Sequence, residues 1–464
     1  MIATHIIKNV LACALSSGAD FSELFVEDKD ILNISMISGR VENISASRIF
    51  GAGVRIFLGN QCIYAYSNKV DEYSLMLIAK KAANALGNLA PSSDDVLLYL
   101  KDHKEYSPIL IKPGEISHKE KIELLTKASN SAKSYSSDIS QVATAHSETN
   151  RRILIANSTG LLTGSEQARM RFSVQAIASS GSENQVGYEA PGYCMGFEAY
   201  KNKIDVEKLA RDASKAAVTM LKAQECPGGI VPVVIDGGFG GVIFHEACGH
   251  SLESTSVSVG QSVFCDKLGQ KIASSKVTAY DNGTIENAWG TIDIDDEGTP
   301  SQNNLLIENG ILKNYMIDLM GSRKMNMPST GCGRRESYKY MPASRMTNTY
   351  IAAGEDDDQE MISSLGEGLY AKSMGGGSVN PLTGEFNFAV NEGYWVKNGD
   401  LIPVRGATLI GKGAEVIMNI DRVGKDMTLG TGMCGSVSGQ IPTSVGQPRI
   451  RVSALSVGGK GEKI

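Results

Sequence analysis

Histidine is scarce in this chain of 464 residues, which holds six. Its eight cysteines, Cys13, Cys62, Cys194, Cys226, Cys248, Cys265, Cys332 and Cys434, stand singly, with no C-x-x-C pair among them. A chain this long needs no disulfide framework, so they read as free thiols of a reducing cytosol, any of which can still serve a metal. Positive charge is not in excess either. Lys and Arg number 45 against 51 Asp and Glu, a net charge of −6, which argues against a nucleic-acid binder working through a broad basic surface. No apolar run approaches the roughly 18 residues of a membrane span. The first helix is broken by His5 and Lys8 and ended by Gly18, which is unlike a signal peptide; the expected location is the cytoplasm.

What is present is the mixture of an ordinary globular protein, 42% hydrophobic and 21% charged, long enough for two or three domains. The expected fold class is α+β. Residues 1–226 read as an N-terminal mixed α+β region. Strand-like segments fall at 22–27, 31–37, 49–58 and 61–67, and a helix over 71–86. Residues 87–116, with Pro91, Pro108 and Pro113, read as a linker and sub-boundary. Ser117-x-x-Glu120 has the form of a capping box, and Asp205 is placed to cap a further helix. After the break at Cys226-Pro-Gly-Gly229, residues 227–464 read as a β-rich domain.

Chemistry concentrates where the strand-like 231–236 segment meets Gly237-Gly-Phe-Gly-Gly241 and then His245-Glu-Ala-Cys-Gly-His250. A match of this kind is expected by chance on the order of 0.01 times in such a composition. Two imidazoles can bind zinc, and a Glu beside the first, Glu246, can act as general base toward water. The spacing is i, i+5, which places the histidines roughly 140° apart on a regular α-helix. A π-type turn would return them to one face, so a helical irregularity is expected between His245 and His250. A third protein ligand is needed, and the residues alone leave Cys, Asp, Glu or a remote His open. Arg334 and Arg335 are candidate contacts for a substrate carboxylate or a phosphate. The acidic stretch Asp293, Asp295, Asp296 and Glu297 reads as a solvated loop or a loop near the cleft, 354–359 as an exposed acidic loop, and Gly375–Gly377 as backbone closely approached or flexible.

The blocks HEACGH (245–250), IDDEGTP (294–300), LIENGILKNY (306–315), GCGRRESY (331–338), RMTNTY (345–350), VRGATLIGKGAEV (404–416) and MCGSVSGQIPTSVGQP (433–448) follow one another in this order. With them the chain resembles the TldD/PmbA family of metallopeptidases, in its TldD-type branch. The resemblance implies a Zn2+ site made by His245, His250 and Cys434, with Glu246 catalytic. It implies a two-domain α+β build, and a homodimer or a heterodimer with a PmbA/TldE-type chain. It also implies peptide substrates that are unfolded or of leader type; the expectation of no nucleic-acid and no membrane partner comes from the charge balance and the short apolar runs. The competing reading is a non-catalytic regulator or assembly partner holding a structural zinc.

Overall fold

A computed structural model describes residues 2–87, 96–379 and 383–462. The fold class is α+β, as the residue patterns suggest. The first half is built on an antiparallel sheet whose strands run, in spatial order, Gln61–Ser67, Arg40–Leu58, Phe21–Ile37, Ile139–Asn157 and Leu161–Ser180. These strands are longer than the short segments read from the sequence. Phe21–Ile37 is one continuous strand, in which the polar residues at 27–30 alternate: Glu27 and Lys29 bond the second half at Tyr338 N and the Glu336 carbonyl, and Asp28 and Asp30 pair with Arg48 and Arg152.

Alternation along that strand assigns its two faces. Leu24, Leu32, Ile34 and Met36 point to the helices: Thr4–Leu15 and Glu72–Leu86 cover one end, His118–Lys133 and Val206–Leu221 the other. Phe25 points the opposite way and packs with Ile153, Ile155, Ile294 and Tyr338. Both expected caps are present. The Ser117 hydroxyl accepts from Glu120 N, and the Asp205 carboxylate from Glu207 N and Lys208 N.

Part of the 87–116 stretch, including Pro91, lies outside the described residues. The remainder is tied to both halves of the protein. Tyr99–Leu100 pairs in parallel with Leu161–Leu162, Tyr106 N donates to Asp293 at 2.8 Å, and Ile111 N donates to Glu198 at 2.9 Å.

In the second half, Gly229–Ile235, Glu367–Val379, Glu385–Lys397, Thr408–Lys412 and Ile450–Gly458 pair in a closed ring, a five-stranded barrel. Beside it lies a six-stranded sheet that ends in the hairpin Thr428–Ser436 and Gly439–Gln447. One apolar core joins barrel and sheet, and Phe244, Ala247, Cys248 and Ile441 belong to it. The 245–250 segment is therefore held between the two.

The acidic loop is a correction to the sequence reading. Asp293, Asp295, Asp296 and Glu297 are buried, not solvated. Arg55 joins Glu23 and Glu297 at 2.6 Å each, and Arg151 joins Glu27 at 2.6 Å and Asp296 at 2.8 Å. The sequence could not show this, because the arginines lie on distant strands. Asp357, in the expected exposed acidic loop, caps the short helix Asp358–Ser363. Gly375–Gly377 falls in an irregular stretch of the 367–379 strand, where Gly375 and Gly376 line a cleft.

Candidate metal centre

The Gly229–Ile235 strand delivers the chain into the glycine turn. Gly238 has φ +62°, and a Cβ on Gly241 would meet the Gly446 backbone at 2.4–2.6 Å. The turn thus lets the chain enter its helix directly against the Cys434-bearing hairpin. That helix begins as an α-turn over Val242–Phe244, becomes a π-helix over His245–Gly249, and tightens to a 3-10 turn over His250–Leu252. The π-turn is the irregularity expected from the i, i+5 spacing. It places the His245 and His250 rings 4.9 Å apart between centroids, at 81° to one another. Gly249 has a definite role, since a Cβ there would stand 2.3 Å from Met346 Sδ.

Cys434 arrives from the edge strand Thr428–Ser436, in register with Ile441. Its Sγ lies 3.3 Å from His250 Nε2. The ligand atoms of His245, His250 and Cys434 all lie within 4.8 Å of one another. Around a tetrahedral zinc, such donors stand roughly 3.3–3.6 Å apart. His245 Nδ1 is buried without a hydrogen-bond partner among the described residues, and the side chain also lies in hydrogen-bond contact with Cys434. Burial raises the Cys434 thiol, but His245 and His250 outweigh it and bring the thiol down to about 4. A thiolate between two imidazoles is a donor set that suits zinc.

Glu246 Oε2 stands 3.9 Å from His250 Nε2, on a side chain that keeps 22% of its surface exposed. Cys248, although inside the motif, is buried in the apolar core, and burial pushes its thiol far up. The sequence reading passed over Glu253. This buried side chain accepts from His250 Nδ1 at 3.2 Å, the arrangement that orients a metal-binding imidazole. Burial disfavours the His250 cation, yet Glu253 and Cys434 hold its pKa well above the usual histidine value. An acid three residues beyond the second histidine was the available signal, since i, i+3 residues share a helical face. Arg345 was also passed over. It is buried, and its Nη2 donates to the Cys434 carbonyl.

Arg334 and Arg335 are not together at the metal cluster. Arg335 donates to Glu23 at 3.0 Å and to the Asp296 carbonyl at 2.7 Å, and stacks 4.0 Å above the Phe25 ring. Arg334 donates to the Met346 carbonyl at 2.6 Å and the Pro442 carbonyl at 2.8 Å. Both are buried.

An α+β protein whose helix and hairpin converge on a His2Cys cluster has the makings of a metalloenzyme, and comparison with known proteins gives the class as metallopeptidase. Residues 22–86, 111–221 and 228–459 match, in turn, domain 1, the central domain and the C-terminal domain of the PmbA/TldA metallopeptidases. The chain is 36% identical to the metalloprotease TldD homolog of Buchnera aphidicola from Acyrthosiphon pisum, over 88% of this chain and 86% of that one. It is 33% identical to the metalloprotease TldD homolog of Haemophilus influenzae, over 99% and 97%. The chain belongs to the PmbA/TldD metallopeptidase family. Solved structures share the fold: TldE of Thermococcus kodakarensis superposes with a TM-score of 0.79 at 18% identity, covering 97% of this chain and 99% of that one. A Thermotoga maritima protein gives 0.80 at 19% identity, covering 98% and 99%.

Proposed function

We propose that the protein is a zinc-dependent peptidase in which His245, His250 and Cys434 hold Zn2+ and Glu246 is the general base. The observation that carries this reading is the π-turn. It brings two imidazoles to a thiol from a distant strand and leaves the carboxylate of Glu246 beside them. Bound zinc would supply Lewis acidity toward a carbonyl and lower the pKa of water toward about 7. Glu246 would take the proton of the attacking water and return one to the departing amine. Glu253 would fix the tautomer and orientation of His250.

The substrates proposed are unfolded or leader-type peptides. A cleft of about 660 Å³ runs beside Gly430–Met433 on the edge strand and is walled by Trp289 and Gly375. An extended peptide suits such an edge, because main-chain hydrogen bonds tolerate varied side chains. A bound peptide lying away from every strand edge would contradict that mode. We further propose work as a homodimer or with a PmbA/TldE-type partner, in the cytoplasm; among the described residues no helix is long and apolar enough to cross a membrane.

The test compares zinc content and cleavage of an unfolded peptide for wild type and Glu246→Ala. About one zinc in both, with cleavage by wild type alone, is expected. Cleavage retained by clean Glu246→Ala would sink the mechanism.

A further inference from the structure

Behind the Cys434-bearing hairpin, between the first sheet and the second half, lies a separate cavity of about 120 Å³. Met433, Gln440, Ile441 and Pro442 of the hairpin form one wall. Its other walls carry five cationic side chains, Lys29, Arg151, Arg169, Arg334 and Arg335. Three carboxylates face them, Asp295, Asp296 and Glu336.

Those carboxylates are already committed. Asp296 takes Arg151 through one oxygen and Arg335 N through the other. Asp295 accepts from the main-chain N–H groups of Glu297, Thr299 and Gly333. Glu336 accepts from Gln440 N.

Three of the cations consequently have no carboxylate at ion-pair distance among the described residues. Arg169 donates to the Trp289 and Thr291 carbonyls and to Gln167. Arg334 donates to the carbonyls of Met346 and Pro442. Lys29 donates to the Glu336 carbonyl at 2.9 Å. Arg169 and Arg334 are only 5% and 4% exposed. In addition, Nη2 of Arg151 is buried and has no partner among the described residues. Burial, Arg169 and Arg345 disfavour the cation on Arg334, and Asp296 and Asp281 offset this only in part, yet arginine stays charged in proteins. A buried cation without a carboxylate paired to it is costly. The cavity has room for several water-sized groups, each needing about 10–15 Å³.

We propose that this cavity binds one small oxyanion, either a free inorganic anion or the carboxylate of a bound peptide. The bound anion would face Arg334, Arg169 and Lys29, and its position would brace the hairpin at Met433–Pro442, one residue from Cys434. This inference does not depend on the metal, so it stands or falls separately from the peptidase reading.

Sulfate is the first probe, by isothermal titration of the full chain at constant ionic strength. One saturable site is expected in wild type, weakened at least tenfold by Lys29→Gln, a substitution at the cavity rim that leaves the ion-paired arginines intact. The absence of a saturable site, or equal binding in wild type and Lys29→Gln, would overturn the proposal. A selenate-soaked crystal of wild type gives a check that needs no variant. An anomalous peak inside the cavity is expected, and peaks confined to the surface would overturn it. Competition then separates the two sources. Displacement of sulfate by a peptide with a free C-terminus, but not by its amide, assigns the site to a peptide carboxylate. If neither displaces it, the site belongs to an inorganic anion.

Discussion

Cys434 Sγ sits 3.3 Å from His250 Nε2, across 184 residues of chain. The thiol that completes the cluster is thus supplied by an edge strand of a different sheet from the strand that leads into the histidine turn. Replacing Cys434 with Ala is expected to lower zinc stoichiometry measured by atomic absorption. Cys248→Ala, in the core and off the cluster, is expected to leave it unchanged. Equal zinc in Cys434→Ala and wild type would remove Cys434 from the ligand set.

Glu253 holds the far nitrogen of His250, so its loss should be felt by the metal without removing a ligand. Glu253→Gln is expected to weaken zinc affinity about 10–100-fold, read by competition with a chelator. An unchanged affinity would mean that His250 is oriented by packing alone.

Gly249 closes the π-turn, and its missing Cβ makes room for Met346. Gly249→Ala should cost roughly 1–3 kcal/mol through overpacking and reduce metal content. Met346→Ala in the same chain should restore part of both, measured by denaturant unfolding and zinc analysis. If the second substitution restores nothing, the clash is not the reason for the glycine.

Arg55 bridges Glu23 from the first sheet and Glu297 from the second half, at 2.6 Å each, with all three side chains buried. Arg55→Met would leave the buried Glu297 without its cation and Glu23 with Arg335 alone, at a cost of about 3–5 kcal/mol. A loss within about 0.5 kcal/mol would show that the bridge adds little to the contact between the halves.

Asp205 offers a pH test. Its carboxylate accepts from Lys208 N and Glu207 N, and these bonds hold its pKa below the ordinary value. Because the folded pKa is depressed, the stabilisation is complete above the unfolded value of about 3.9 and is lost as pH falls through the lower folded one. Asp205→Ala should cost about 0.5–2 kcal/mol at neutral pH, and the gap from wild type should close below about pH 3.9. A gap independent of pH would show that the carboxylate charge is not what caps this helix.

Local chemistry was legible in the order of residues. An odd histidine spacing beside a glycine required a π-turn, because no other helical form returns i and i+5 to one face. Ser117 and Asp205 announced their helices, since a short polar side chain satisfies the first free N–H groups. The α+β class followed from where helical and alternating patterns fall along the chain. Long-range pairings were not legible. Nothing local tells an acidic run such as 293–297 that Arg55 and Arg151 will meet it, so it read as solvated although it is buried. The proposed role of Cys434 came through family resemblance, because a cysteine on an edge strand carries no spacing to a histidine 184 residues away. Sequence by itself determined the metal-ready turn, the caps and the fold class, all set by backbone geometry within a few residues. Only the tertiary structure decided which thiol meets that turn, which carboxylates neutralise which arginines, and which cations are left facing a cavity. Those outcomes depend on the packing of strands far apart in the chain.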